Sequence, residues 1–184
     1  MREKQGRRKE QAEEPAKEKT ISPMHYAERA LLRSLIVVTL IYLLLNCVIG
    51  IMRAPNDDMT PSIYGRDLLL YYRLDKEVKA GDVIVLGKND TTYIGRVIAV
   101  GGDTVEITNE ESVRVNGNTL AESRIYSGTP RYEGFVEYPL TLAQDECFVL
   151  VDRRNGGEDS RYYGPVSRDE IKGIIITIMR RNNI

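Results

Sequence analysis

Two adjacent carboxylates, Asp57 and Asp58, stand out as residues whose type and spacing suggest acid–base chemistry. An aspartyl protease needs two carboxylates that share one proton, whereas neighbours on an extended strand point to opposite faces. Pairing of Asp58 with Asp152 or Asp159 is geometrically possible, but nothing in the sequence favours it. The sequence therefore gives little support for a carboxylate pair as the catalytic group.

The sequence also has few histidine and cysteine residues that could serve in catalysis or bind a metal. The single histidine, His25, precedes an apolar segment that contains Cys47, and Cys147 lies far downstream. Without a Cys/His cluster we expect no metal site, and we expect no cofactor. If the apolar segment crosses a membrane, the two cysteines cannot pair within one molecule, so the core must be stable without a disulfide.

The apolar segment runs from Ser34 to Met52 without a formal charge. Ser22-Pro23 has the capping hydroxyl and first-turn proline of a helix start. As a helix, the nineteen uncharged residues alone span roughly 28 Å, close to the hydrocarbon thickness of a bilayer. The alternatives are a buried soluble helix, which this length disfavours, and a cleaved signal peptide, which the charged N-terminal arm disfavours. We predict a disordered cytoplasmic arm over 1–21, a transmembrane helix over 22–53 and an extracytoplasmic domain over 54–184.

Charge is unevenly distributed along the chain. Residues 1–33 contain nine Lys/Arg and six Asp/Glu, whereas the whole chain has a formal net charge of -1. A balance so close to zero gives no electrostatic case for nucleic-acid binding. The basic arm before the apolar segment predicts a single-pass protein of the cell membrane, with its N-terminus in the cytoplasm and its C-terminal domain extracellular.

Short runs of β-branched and aromatic residues follow the apolar segment. They lie at 68–72, 83–86, 94–100, 104–107, 113–115, 147–151 and 171–179. Asn116-Gly117 is a strong two-residue hairpin signal, because both turn positions need a positive φ. We predict a mainly β fold, in which a coiled antiparallel β domain with little helix follows one N-terminal transmembrane helix.

Four segments, in this order, resemble motifs of the type I signal peptidases, the serine/lysine proteases that trim exported proteins at the membrane. The family motifs are Ser-Met-x-Pro-Thr, Gly-Asp-Ile-Val, Tyr-Ile-Lys-Arg-Val-Ile-Gly-x-Pro-Gly-Asp-x-Val and Gly-Asp-Asn-Arg-x-x-Ser-x-Asp-Ser-Arg-Tyr-x-Gly. The matching segments are 58–62, 79–85, 93–105 and 151–164. Four matches in order make the resemblance specific, and it implies a β domain of signal peptidase type.

The catalytic positions of that resemblance are altered. The family's serine falls on Asp58, its lysine on Gly95 and a third polar position on Gly157. A serine hydroxyl is a poor nucleophile until a base, here a neutral lysine amine, removes its proton. Glycine has no side chain to act as a base, so the resemblance implies a degenerate dyad. Shifting the roles onto Ser62 and Lys88 would break two segments that otherwise align.

The resemblance also implies roles for the residues around this site. Peptide binding by strand addition is implied for Asp58, Met59, Pro61, Tyr93 and Ile94. Structural roles near the site are implied for Arg96, Asp152, Arg154, Asp159, Ser160 and Arg161. At Gly95 we expect extra room, beside which Asp58 either accepts an ammonium group from a partner or is solvated or bonded to nearby backbone amides.

The function implied by the resemblance is peptide binding without cleavage. Inactive members of the family accompany sortase-assembled pili as assembly factors or chaperones, so the implied partners are an exported protein or pilin subunit, a sortase and the lipid membrane. The main alternative is an active type I signal peptidase that cleaves signal peptides. A third possibility is a purely structural anchor whose groove is filled.

The charge asymmetry predicts which part of the chain an external protease reaches. In intact cells, protease should remove the domain after Arg53 and spare residues 1–33, because the basic arm stays inside. Immunoblots with antibodies against each end measure this. Protection of the C-terminal domain in intact cells, with digestion only after lysis, would contradict the orientation.

Overall fold

The computed structural model describes residues 23–123 and 125–180. Contacts divide the chain into two units, Met1–Thr39 and Leu40–Ile184. Helix α1 runs over Pro23–Leu43 and a π-helical turn follows over Leu44–Val48. Within the described residues, Tyr26–Val48 is the one helix long and apolar enough to cross a bilayer, and none of it is buried. The predicted arm over 1–21 lies outside the described residues.

The predicted helix over 22–53 extends too far, because Ile49–Arg53 form strand β1. Strand β1 pairs antiparallel with β2, which is Leu68–Tyr72. Gly50 is a poor helix former, and its missing side chain leaves room for the ring of Tyr71, with which a Cβ would collide. The apolar run in the sequence therefore contains a helix and the first strand of the domain.

The domain is built from two antiparallel sheets. The remaining strands are β3 Val83–Lys88, β4 Thr91–Val100, β5 Thr104–Ile107, β6 Val113–Val115, β7 Asn118–Thr119, β8 Leu140–Thr141, β9 Glu146–Leu150, β10 Val166–Ser167 and β11 Ile171–Met179. The larger sheet has the order β1-β2-β11-β3-β4-β9-β10, and the smaller has the order β7-β6-β5-β8. A short helix, α2, covers Ser160–Tyr163.

The predicted mainly β fold with one N-terminal apolar helix is confirmed. Strands β2, β5, β6 and β11 have the bounds that their β-branched runs predict. Asn116 and Gly117 turn between β6 and β7 with φ values of 53° and 80°, as the hairpin signal requires. The two-residue strands β7, β8 and β10 are too short to leave a periodic signal in the sequence.

Apolar residues of the domain form three buried clusters, and one of them supports the candidate site. Its buried members are Ala54, Met59, Ile63, Leu69, Ile94 and Val151. They come from the segment after β1, from β2, from β4 and from the end of β9, so one apolar cluster fixes four parts of the chain. Burial of these side chains stabilises the segment that carries Asp58.

Candidate functional site

Asp58 lies in the loop after β1, directly before a buried anchor. The next residue, Met59, is 2% exposed and packs in the cluster that supports the site. The Asn56 side chain faces Asp58 through two hydrogen bonds: Nδ2 donates to Asp58 Oδ2 at 2.6 Å, and Oδ1 accepts from the Asp58 amide at 3.2 Å. The loop therefore holds the Asp58 carboxylate in a defined place.

Arg153 holds the same carboxylate from the other side. Its Nη2 donates to Asp58 Oδ1 at 3.1 Å, and its backbone amide donates to the Asp58 carbonyl at 2.9 Å. The Asp58 side chain is only 15% exposed, whereas that of Arg153 is 51% exposed and covers it. Both carboxylate oxygens are therefore occupied, Oδ2 by an amide and Oδ1 by a guanidinium.

Gly157 makes room for that carboxylate. It has a φ of +84°, and a Cβ built on it would lie 2.9 Å from Asp58 Cγ. A side chain here would meet both backbone strain and the carboxylate. The Gly157 carbonyl accepts a hydrogen bond from Tyr132 Oη at 3.3 Å. Asp58 at the serine position and glycine at the third polar position thus fit each other sterically.

Gly95 is buried in β4, and the expectation of extra room beside it is wrong. A Cβ at this position would collide with Val149 Cγ1 from the neighbouring strand β9. Its next nearest neighbour would be the Leu150 carbonyl, at 3.3 Å. The Val149 side chain therefore occupies the space into which a residue 95 side chain would project. A lysine amine cannot enter there unless Val149 moves.

Asp152 and Arg96 form a bidentate ion pair beside the site. Arg96 Nε and Nη2 donate to Asp152 Oδ1 and Oδ2 at 2.8 and 2.7 Å. The pKa of Arg96 is raised above its ordinary value, mainly by the hydrogen bond to Asp152. Arg96 Nη2 also lies 3.3 Å from Ser62 Oγ. Ser62 is therefore beside a guanidinium, which supplies no base for a hydroxyl.

Two buried arginines fix the segment after Asp152. Arg161 donates to both oxygens of Asp159, from Nε at 2.9 Å and from Nη2 at 2.8 Å. Arg154 donates to Thr129 Oγ1 at 2.7 Å and to Glu122. Ser160, the remaining residue of this predicted group, accepts a hydrogen bond from the Val149 amide at 2.9 Å.

The geometry does not support a catalytic pair of carboxylates made by Asp58 with Asp152 or Asp159. Asp152 is paired with Arg96, Asp159 with Arg161, and Asp58 with Arg153. Two carboxylates that share a proton must lie against each other rather than against separate guanidinium groups. Within the part of the chain that the structure describes, no group of three His, Cys, Asp or Glu residues could hold a metal ion.

The residues for which the resemblance implies peptide binding have different environments. Met59 and Ile94 lie in the core, with 2% and 7% exposure, whereas Pro61 is exposed. Tyr93 is partly exposed, stacks on Tyr163 with ring centroids 5.0 Å apart and donates a hydrogen bond to Glu158 Oε2 at 2.7 Å. That bond is the main cause that raises the pKa of the Tyr93 phenol. Peptide binding by these residues stays a prediction.

A lysine amine does contact a hydroxyl elsewhere in the domain. Lys172 Nζ lies 2.6 Å from Thr92 Oγ1, on the exposed surface. The chemistry of a lysine base needs a desolvated amine, because a solvated ammonium cannot accept the proton. Thr92 and Lys172 therefore do not form a dyad of the serine/lysine type.

Three residues at the site were missed from the sequence. Asn56, Val149 and Arg153 fix the carboxylate or fill the space beside Gly95. Arg153 did leave a signal, because it stands where the family motif has asparagine, next to Asp152. Asn56 and Val149 left none, because their roles depend on which side chains meet in the folded domain.

The comparisons with known proteins agree on one family. The family model described as "Signal peptidase, peptidase S26" matches residues 27–179. A probable signal peptidase I-2 of Synechocystis is 31% identical over 131 residues, which cover 65% of this chain but only 57% of that protein. Signal peptidase I S of Bacillus subtilis is 29% identical over 136 residues, 68% of this chain and 73% of that protein.

A crystal structure of a signal peptidase I from Enterococcus faecalis is also similar to this chain. It has a TM-score of 0.45 and 25% sequence identity, and the match covers 54% of this chain and 97% of that one. Because the family model covers most of the chain, the chain belongs to the signal peptidase family. Its N-terminal apolar helix and this membership fit a membrane-anchored protein.

The filled space beside Gly95 predicts an energetic coupling. Gly95→Ala should destabilise the domain by about 1–3 kcal/mol, because the new methyl group overpacks against Val149. In a Val149→Ala background the same change should cost clearly less, since the opposing methyl groups are absent. Denaturant unfolding of the full chain and its three variants measures the coupling. An equal cost in both backgrounds would contradict the packing described at this position.

Proposed function

We propose that this protein is a non-cleaving member of the signal peptidase family that binds exported polypeptides at the membrane. The observation that carries the proposal is the Asp58 carboxylate, which stands at the serine position and is tied to Arg153 and Asn56. A carboxylate in this state offers neither a hydroxyl nucleophile nor a free base. The nucleophile with which the family's reaction begins therefore has no counterpart at this position.

The position of the lysine base supports the same conclusion. Val149 fills the space beside Gly95, so the site is closed by apolar packing where an amine would have to stand. Restoring Asp58→Ser would supply a hydroxyl without a base, and Gly95→Lys would supply an amine that first has to displace Val149. Cleavage therefore needs at least three coordinated changes, at Asp58, Gly95 and Val149.

Binding of an extended polypeptide does not depend on those groups. Strand β1 lies at the edge of the seven-stranded sheet, and the loop that carries Asp58 follows it directly. An extended chain can add to such an edge through backbone hydrogen bonds, and its side chains then meet neighbouring pockets. Within the predicted binding group, Pro61 is exposed, and Asp58 and Tyr93 are partly exposed.

The topology and partners form part of the proposal. The apolar helix Tyr26–Val48 crosses the membrane, the arm over 1–21 lies in the cytoplasm and the domain over 54–184 lies outside, where exported chains emerge. The motif resemblance to inactive family members of sortase-dependent pilus assembly makes pilin subunits and a sortase the partners that we propose. The role is then that of an assembly factor or chaperone.

The second candidate is an active type I signal peptidase, and the names of the two relatives favour it. The geometry of the site does not, because Asp58, Asp152 and Asp159 are each paired with a separate arginine and Val149 fills the space beside Gly95. The two candidates differ in one measurable property. A peptidase releases a shortened product, whereas a chaperone holds the whole chain.

Site-specific photocrosslinking in cells tests the binding role. Benzoylphenylalanine at Tyr93 should capture exported precursors that still carry their N-terminal segment, because the Tyr93 hydroxyl bonds Glu158, the residue after Gly157. The matched control places the same group at Tyr126, which is 89% exposed and outside the predicted binding group. Mass spectrometry of the adducts identifies the captured chains and their ends.

Enrichment of intact precursors at Tyr93 over Tyr126 supports the proposal. Equal capture at the two positions would show that no specific polypeptide site lies beside Tyr93. Adducts that end at one new N-terminus would show that the protein cuts, and the second candidate would then replace the first.

A further inference from the structure

One cavity of the domain is lined by residues other than Asp58 and its partners Asn56 and Arg153. It is open, has a volume of about 880 Å³ and is lined by Arg53, Tyr64, Gly65, Arg66, Asp67, Leu68, Met179 and Arg180. These residues come from the end of β1, the loop before β2, the start of β2 and the end of β11. Three arginines and one carboxylate leave the lining two positive charges in excess.

Two of the three guanidinium groups are free. The side chains of Arg53 and Arg66 are exposed and have no hydrogen-bond or ion-pair partner within the described ranges, 23–123 and 125–180. The third guanidinium, that of Arg180, has three contacts. Its Nε lies 3.6 Å from Asp67 Oδ2, and its Nη2 donates to the Ser62 carbonyl at 3.2 Å. Its Cζ lies 4.7 Å from the centroid of the Tyr64 ring. The guanidinium groups of Arg53 and Arg66 can therefore donate to a ligand, beside the guanidinium of Arg180, which its own contacts hold in place.

Arg66 is held in an unfavourable backbone conformation at this cavity. Its φ is 72°, in the left-handed region that glycine and asparagine adopt more easily. The turn is fixed by its surroundings, because the Arg66 amide donates to the Ala54 carbonyl at 2.9 Å and the Gly65 amide donates to Asp57 Oδ1 at 2.7 Å. A strained residue whose guanidinium is free at a basic cavity indicates a use for that side chain.

The chemistry of the lining favours a phosphate group. Guanidinium forks match the oxygens of a phosphate in geometry and charge, and several arginines together match its charge better than that of a carboxylate. Leu68 and Met179 add apolar surface to the same cavity, and Ile51 and Ile176 of β1 and β11 are exposed nearby in the sheet. A ligand with a phosphate and an apolar part fits this combination.

The chain connectivity points to the source of such a ligand. The apolar helix that fits a membrane anchor ends at Val48, and β1 leads directly from it to Arg53. A strand of five residues extends roughly 17 Å, so Arg53 lies no farther than about this distance from the end of the helix. Basic residues that flank a membrane segment are attracted to anionic headgroups.

We propose that the cavity lined by Arg53, Arg66 and Arg180 binds the phosphate of an anionic phospholipid headgroup. The contact ties the sheet domain to the lipid surface; it rests on the membrane anchor of the proposed function and does not involve the Asp58 site or polypeptide binding. Arg53 and Arg66 supply the free donors, Arg180 supplies a fixed positive charge, and Leu68 and Met179 contact the apolar part of the lipid.

Native mass spectrometry of the full chain in detergent micelles tests this assignment. The probes are phosphatidylglycerol, phosphatidylcholine and inorganic phosphate, each titrated against the wild type, Arg66→Asn, Arg53→Gln and Arg168→Gln. Arg168 is the matched control, since it is an exposed arginine outside the cavity and its removal changes the net charge equally. Arg66→Asn should fold at least as stably as the wild type, because asparagine tolerates the left-handed conformation.

The wild type should bind phosphatidylglycerol in preference to phosphatidylcholine. Arg66→Asn and Arg53→Gln should each weaken the affinity for phosphatidylglycerol about fivefold, and Arg168→Gln should leave it unchanged. The melting temperature of Arg66→Asn should be equal or higher, which separates loss of the ligand from loss of the fold. Equal binding of the two lipids, or an equal effect of Arg168→Gln, would overturn the proposal. Displacement of phosphatidylglycerol by inorganic phosphate at similar concentration would assign the cavity to a free anion and overturn the lipid assignment.

Discussion

The ion pair between Asp159 and Arg161 is the interaction on which the geometry of the site depends. Both side chains are fully buried. Asp159 also accepts the Val151 amide at 3.1 Å, and Arg161 also donates to the Pro130 and Arg154 carbonyls at 3.1 and 3.0 Å. Removing either partner would leave an unpaired buried charge, which costs roughly 3–5 kcal/mol. The pair therefore joins the end of β9 to the loop that carries Arg153 and Gly157.

That anchored loop explains why the altered positions belong together. Arg153 neutralises Asp58 from one side, and Gly157 leaves the space that the carboxylate needs. A serine at position 157 would meet the Asp58 carboxylate, and an asparagine at 153 would leave it without its cation. Asp58, Arg153 and Gly157 therefore form one local arrangement that holds and neutralises a carboxylate. At Gly95, the Val149 side chain takes the space that another side chain would need.

The strands of the domain were predictable where their signal is local. Runs such as Leu68–Tyr72 and Ile171–Met179 are long and β-branched, and the Asn116-Gly117 turn needs only its own two residues. Strand β1 was not predictable, because Ile49–Arg53 continue the apolar run of the helix, and pairing with β2 decides their conformation. The assignment of Asp58 and Gly95 to dyad positions comes from the motif resemblance alone, whereas the filling of the space at Gly95 by Val149 is a contact between strands that the sequence does not show.

The central claim is that the altered site does not cut peptide bonds. The most direct measurement incubates the purified full chain with an exported precursor and follows the intact mass of the precursor over time, with an active signal peptidase as the positive control. We expect the intact mass of the precursor to stay unchanged with the wild type, as with Asp58→Ala. Cleavage at one defined bond by the wild type, abolished by Asp58→Ala, would contradict it.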